Sequence, residues 1–306
     1  MIRIGFGDQG KRETVDRYCA EHDIERIFVC SPARFAPSWA AEKMVDHVQQ
    51  GDGRRGVFLD WPDIIEYRFY YRLLQEIEPR TLVVVNECLR SQNRHILTYN
   101  CLRLFLNQTK HHIIFQRLPV LDTWSDFATL FDFDTRGRWK REKIDAEQVL
   151  RECDVQVAVA PPTFRAIEVP VSRSLAREYL RQKAKLLAAV RTDVDKDPHL
   201  VPRNLLLVSG TAKVPAVDPA ARYVGRNNRF KLPNVETYRD IATAGPRVLF
   251  EPPHNFIDLT DYLAIAEQSA CDVLVADTKA DRWYFDRLTA WSARMREVIV
   301  SLGGAS

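Results

Sequence analysis

Short apolar runs alternate along the chain with longer amphipathic or polar stretches. The apolar runs predict strands at residues 26–30, 57–59, 81–85 and 112–115, and the segments between them are long enough for helices. Strands that alternate with helices are typical of a parallel sheet with crossover connections. The sequence therefore predicts an α/β fold, a mainly parallel sheet with helices on both faces.

The second half of the chain continues this alternation with a less regular pattern. An amphipathic helix is predicted at residues 172–190, and a short buried strand at residues 205–208. Between them, residues 193–204 (DVDKDPHLVPRN) are polar and rich in proline, which favours a linker. We therefore predict a first α/β domain at residues 1–192. Residues 203–306 form either a smaller α/β lobe or a continuation of the same sheet.

Polar residues follow directly after several of the predicted strands. Asn86 and Glu87 end the strand at 81–85, and Gln116 ends the strand at 112–115. In an open parallel sheet the carboxyl ends of strands line the ligand crevice, so these side chains are candidates for a site.

Asp60 ends the strand at 57–59 and allows two interpretations. A carboxylate at this place is able to hold a metal-bound water or to act as a base, but it also suits the N-cap of a helix that begins at Pro62. The cap is the commoner role. Both interpretations stay open at this stage.

The N-terminal segment combines a strand, a glycine-rich turn and a helix. Gly5, Gly10 and Lys11, with Gly7 between them, fit the pattern G-x-x-x-x-G-K in the strand-loop-helix context that the motif requires. Glycines let backbone amides wrap a phosphate, the helix N-terminus adds a positive dipole, and lysine adds a charge. An ordinary glycine turn is the alternative interpretation.

One position departs from this motif. A serine or threonine that binds Mg²⁺ is expected after the lysine, and Arg12 stands there instead, with the nearest hydroxyl at Thr14. Either Mg²⁺ is held from elsewhere, or the loop binds an anion without hydrolysing it, or the match is accidental.

Composition sets broad limits on function. The 306 residues are 46% hydrophobic, and 44 Lys and Arg residues against 41 Asp and Glu residues give a formal net charge of +3. The six cysteines are scattered without zinc-finger spacing, and no apolar run reaches the roughly 18 residues of a membrane span. We therefore expect a cytoplasmic globular protein with reduced thiols and no membrane partner.

Local basic clusters suggest nucleic acid as a partner. Arg90 lies at the mouth of the proposed crevice. Two further sets combine cations with aromatic residues and suit a nucleic-acid backbone. They comprise Arg136, Arg138, Trp139, Lys140 and Arg141 in the first set and Arg222, Tyr223, Arg226, Arg229 and Lys231 in the second. Solvated loops are the alternative interpretation.

Taken together, the glycine-lysine loop, the VVVNE strand and the IIFQ strand resemble the additional-strand class of P-loop NTPases over about the first 140 residues. The resemblance implies a P-loop-like nucleotide-binding domain that takes ATP and Mg²⁺. It places Gly5, Gly7, Gly10, Lys11, Arg12 and Thr14 at the nucleotide, Glu87, Asp60, Gln116 and Arg90 in catalysis, and Glu87 and Asp60 at the metal.

Within that class several functions remain possible. A nucleotide-dependent phosphotransferase, similar to the phage kinases that modify DNA bases, is our first expectation. A DNA-handling P-loop ATPase and a non-catalytic protein that grips nucleic acid or a protein partner are the alternatives. Nucleotide is the expected partner, and DNA is the second.

Overall fold

A computed structural model of the chain forms two compact units, Met1–Ala160 with Arg294–Ser306, and Pro161–Ala293. It describes residues 1–5, 8–32, 35, 39, 55–60, 64, 75, 77–87, 97–116, 153–158, 160–190, 203–241, 243–251, 253 and 256–303.

The first unit contains a six-stranded sheet in which every pairing is parallel. Its strands are β1 (Ile2–Ile4), β2 (Arg26–Cys30), β3 (Arg55–Leu59), β4 (Thr81–Asn86), β5 (His111–Gln116) and β6 (Val155–Val157). They lie in the order β3-β2-β4-β5-β1-β6. Its described helices are α1 (Asp8–His22) and α2 (Leu97–Gln108).

Strand β4 lies in the middle of this sheet, and all six of its residues are buried. A parallel strand covered on both faces needs an uninterrupted apolar run, which explains the sequence TLVVVN. One of its faces joins a core cluster that includes Val83, Val85, Phe105 and Ile114. The sheet that carries the strand-end residues is therefore a well-packed platform.

The second unit contains a separate five-stranded sheet, also parallel throughout. Its strands are β7 (Thr163–Val169), β8 (Tyr223–Gly225), β9 (Val235–Thr237), β10 (Val248–Leu249) and β11 (Ala270–Ala276), in the order β7-β11-β10-β8-β9. Its helices are α3 (Arg173–Val190), α4 (Arg203–Lys213), α5 (Phe256–Ala266) and α6 (Lys279–Ser301), the last of which ends within the first unit.

The predicted α/β fold with parallel sheets is confirmed, and two details of the second half differ from expectation. The strand predicted at residues 205–208 is wrong, because these residues lie in α4. The buried positions of α4 are Leu205, Val208, Ser209, Gly210, Ala212 and Lys213, most of which recur at helical spacing although the apolar run looks continuous. The sequence also did not reveal β7, β8 and β9.

The predicted domain boundary, between residues 192 and 203, does not coincide with the boundary between the two structural units, which lies between Ala160 and Pro161. Helix α3 lies in the second unit, whereas the prediction assigned it to the first domain. The proposed linker lies mostly at residues 193–202, outside the described residues, so its character stays a prediction.

Among the described residues no helix is long and apolar enough to cross a membrane. The five cysteines in this part of the chain, Cys19, Cys30, Cys101, Cys153 and Cys271, are buried. Burial raises the pKa of the Cys271 thiol to about 12, and it also raises that of Cys30. These two side chains are therefore protonated and poor nucleophiles at neutral pH.

Candidate functional site

The ends of strands β1, β4 and β5 meet at the carboxyl edge of the first sheet. Strand β5 lies between the other two, and the register sets Ile4 opposite Gln116 and Asn86 opposite Phe115. The Gly5 amide donates to the Gln116 carbonyl at 2.9 Å, which continues the ladder beyond the end of β1. The structure therefore brings the predicted glycine turn at Gly5 next to Gln116 and to one side of the strand that leads to Glu87.

Glu87 and Gln116 form a direct buried contact at this edge. Gln116 Nε2 donates to Glu87 Oε2 at 2.6 Å, and each residue is only 2% exposed. Glu87 also adopts a φ of 57°, in the left-handed region that glutamate rarely occupies. Its amide donates to the Phe115 carbonyl at 2.9 Å, so the neighbouring strand holds this conformation. Strained residues held by their surroundings concentrate at functional sites.

Lys11 lies in the first helical turn beyond β1, because α1 begins at Asp8. The residue is 3% exposed, and its Nζ lies 5.7 Å from the centroid of the Trp39 ring, a cation–π contact. Trp39 in turn packs against Phe115, with 6.2 Å between ring centroids. The sequence did not single out Trp39, since a tryptophan inside an apolar helical pattern carries no signal beyond packing.

Two residues near the lysine do not supply the hydroxyl ligand of a typical phosphate loop. The half-exposed Arg12 side chain pairs with Asp16, with 3.5 Å between Nε and Oδ2. The Thr14 hydroxyl donates to the Gly10 carbonyl at 2.7 Å, a bond to the preceding helical turn. Gly7 lies outside the described residues.

Asn86 is fully buried and turned toward the neighbouring strand. Its Nδ2 donates to Ser31 Oγ at 2.9 Å, whereas its Oδ1 has no hydrogen-bond partner among the described residues. Ser31 follows the end of β2 directly. The same strand-end rule that selected Asn86 would have found it.

Asp60 lies at the same edge but is not adjacent to Glu87. Strand β2 separates β3 from β4, and two strand spacings amount to about 10 Å. The Ile64 amide donates to the Asp60 carbonyl at 3.2 Å, the bond with which a helix begins. This bond agrees with the capping interpretation of Asp60.

The other predicted binding residues have different surroundings. Arg90 and the set Arg136, Arg138, Trp139, Lys140 and Arg141 lie outside the described residues. Arg226 and Arg229 follow the carboxyl end of β8, and Arg229 Nη2 donates to Glu251 Oε1 at 2.8 Å. Arg222 precedes β8 and bonds Glu236 at 2.9 Å. The basic cluster that the sequence suggested around β8 is thus divided between two edges of the second sheet.

These side chains fit a nucleotide phosphate better than a directly ligated Mg²⁺. Gly5 at a φ of 80°, the first turn of α1 and Lys11 provide the conformation and the charge that a phosphate needs. For the metal, Arg12 replaces the hydroxyl, and Asn86, at a position where many such strands carry a second carboxylate, offers only a neutral amide. Among the described residues no three His, Cys, Asp or Glu side chains form a metal-binding group. The role of Mg²⁺ therefore stays a prediction.

No protein-family model matches the chain, and no curated protein matches its sequence. One similar solved structure is the Sulfolobus solfataricus SWI2/SNF2 ATPase core in complex with dsDNA, which is 9% identical in sequence. The superposition has a TM-score of 0.41 and covers 99% of this chain and 89% of that chain. Another is the Pyrococcus furiosus Hef helicase domain, at 11% identity and a TM-score of 0.45, covering 96% of this chain and 94% of that one.

Proposed function

We propose that the chain binds a nucleoside triphosphate at the carboxyl edge of the first sheet and hydrolyses it as a DNA-handling ATPase. The observation that carries the proposal is the buried hydrogen bond between Gln116 and Glu87 beside the turn at Gly5. This contact joins a carboxylate, a polar sensor and a glycine-lysine turn at one edge.

The strand order supports the proposal. Strand β5, which ends in Gln116, separates β1 from β4, which delivers Glu87. A strand inserted between the phosphate-loop strand and the acidic strand is the feature that gives the additional-strand class its name. The predicted resemblance rested on sequence order alone, and the spatial order agrees with it.

The residues have distinct roles in the proposed reaction. Lys11 and the amides of the first turn of α1 hold the phosphates, and Glu87 positions and polarises the attacking water. Gln116 fixes the Glu87 carboxylate through the 2.6 Å bond. Catalysis of this kind depends on positioning and on charge, so a preformed buried pair is an advantage.

Titration with a fluorescent ATP analogue, with and without Mg²⁺, tests the binding step. We expect saturable binding that Lys11→Ala weakens roughly 10-fold to 100-fold, because a charge-assisted contact to phosphate is lost. Lys110→Ala removes an exposed lysine of the same unit and should leave the affinity unchanged. Absence of saturable binding at roughly millimolar nucleotide would contradict the proposal.

DNA as the partner requires a separate test, because the set from Arg136 to Arg141 lies outside the described residues. We expect affinity for a short oligonucleotide to fall with salt, each neutralised phosphate contributing about 0.7 to 0.9 to the log-log slope. Replacing Arg136, Arg138 and Lys140 by glutamine should reduce that slope by roughly 2 to 3. A matched control replaces the exposed Arg173, Arg177 and Arg181 of α3. Equal slopes for the two triple variants would count against the predicted set.

A non-catalytic nucleotide-binding protein is the second candidate function. It is favoured by Arg12 and Asn86, the two positions at which metal ligands are missing. Binding without turnover would support it. The phosphotransferase expected from the sequence stays a prediction, since the same carboxylate is able to polarise a hydroxyl as well as a water.

A further inference from the structure

A charged pocket lies wholly within the second unit, at the carboxyl edge of its sheet. It measures about 20 Å³ and is lined by Gly210, Lys213, Arg226, Arg229, Glu251 and Asp281, among others. Arg226 directly follows β8, Glu251 lies two residues beyond β10, and Asp281 lies in the first turn of α6 after β11. The pocket therefore occupies the position at which parallel sheets bind ligands.

A fully buried ion pair, between Lys213 and Asp281, lines this pocket. Lys213 Nζ lies 2.5 Å from Asp281 Oδ2, and the two residues are 1% and 4% exposed. Lys213 also donates to the Phe250 carbonyl at 3.1 Å, and Asp281 accepts from the Ala276 amide at 2.7 Å. Buried pairs are often no more stabilising than apolar residues of the same volume.

A second ion pair, between Arg229 and Glu251, also lines the pocket. Arg229 Nη2 lies 2.8 Å from Glu251 Oε1, and burial raises the pKa of Glu251 although Arg229 and Lys213 oppose the shift. Helix α4 approaches this pair closely at Gly210. A Cβ atom there would lie 2.5 Å from Arg229 Nη2 and 2.7 Å from Glu251 Oε1. A larger residue at this position would require the end of the Arg229 or the Glu251 side chain to shift.

The lining carries three cations against two carboxylates. Arg226 adds the third positive charge; burial raises the pKa of both Glu251 and Tyr284, and the charge of Arg226 opposes that rise. The volume admits a water-sized group and excludes a nucleobase or sugar ring. One oxygen atom of a tetrahedral anion fits this volume, and the charge of the anion suits the guanidinium donors.

We propose that this pocket binds the phosphate group of a ligand, with Lys213, Arg226 and Arg229 as its donors. The ligand is either a free phosphate or phosphomonoester, or a phosphodiester of a nucleic-acid backbone. Glu251 and Asp281 hold Arg229 and Lys213 in place when the ligand is absent. The proposal does not depend on the nucleotide site of the first unit.

Calorimetric titration of the Lys11→Ala protein with inorganic phosphate, at constant ionic strength, tests the pocket apart from the first site. We expect saturable binding that Arg226→Gln in this background weakens at least about tenfold, since one charge-assisted contact is lost. Arg239→Gln removes an exposed cation of the same unit and should leave the affinity unchanged. Circular dichroism establishes that each variant is folded.

Competition identifies the source of the phosphate. An oligonucleotide without terminal phosphates that displaces inorganic phosphate assigns the pocket to a nucleic-acid backbone, and failure to displace it assigns the pocket to a free phosphate or monoester. Equal phosphate affinity in the Arg226→Gln and Arg239→Gln proteins would overturn the proposal. So would absence of saturable binding at roughly 10 mM phosphate. Neither result bears on nucleotide binding by the unsubstituted protein, so the two proposals fail separately.

Discussion

Replacing Glu87 by glutamine is expected to lower the rate of nucleotide hydrolysis at least about 100-fold and to leave nucleotide affinity nearly unchanged. The substitution keeps the shape of the side chain and removes its charge. The side-chain oxygen of a glutamine at position 87 is still able to accept a hydrogen bond from Gln116. The variant therefore keeps this hydrogen bond, which measures 2.6 Å in the unsubstituted protein, and loses only the charge. The change therefore tests the carboxylate rather than the packing of the edge.

Steady-state phosphate release and fluorescent-nucleotide binding, measured on the same preparation, separate the two effects. Glu21→Gln is the matched control, because it removes an exposed carboxylate from α1 in the same unit. Full activity in the Glu87→Gln protein would show that the strand-end assignment is wrong. Asp60→Asn would then become the next variant to measure.

Replacing Lys213 by methionine is expected to lower the free energy of unfolding of the second unit by roughly 3 to 5 kcal/mol, because Asp281 is left buried without its cation. Methionine fills a similar volume, so the loss reports charge rather than a cavity. Hydrogen exchange of the β11 amides, followed by mass spectrometry, measures this stability locally.

A second substitution separates the cost of the lone charge from other effects. Adding Asp281→Asn to Lys213→Met should restore much of the stability, because the amide oxygen is still able to accept from the Ala276 amide. Arg282→Met, which breaks an exposed pair with Asp277, should have little effect. A double variant as unstable as Lys213→Met alone would show that the lost lysine contacts, rather than the unpaired carboxylate, dominate.

The sequence predicted the fold of the first unit well because three of its strands, β2, β4 and β5, lie inside the sheet and are mostly buried. Such strands are continuous apolar runs, and the four internal runs predicted there correspond to β2, β3, β4 and β5. The same rule failed at residues 205–208, where a continuous apolar run belongs to a helix. It also missed β8 and β9, since three-residue strands are too short to show a period.

The sequence by itself determined which residues end the strands of the first sheet and therefore which side chains reach its carboxyl edge. Only the tertiary structure decided which of them meet. Strand order separates Asp60 from Glu87 and joins Gln116 to Glu87. Tertiary packing brings Trp39 to Lys11 from a distant part of the chain. It also divides the basic residues around β8 between opposite edges of the second sheet. The physical reason is that local patterns determine which residues form each strand, whereas the lateral neighbours of a strand depend on crossover connections and on packing between residues far apart in sequence.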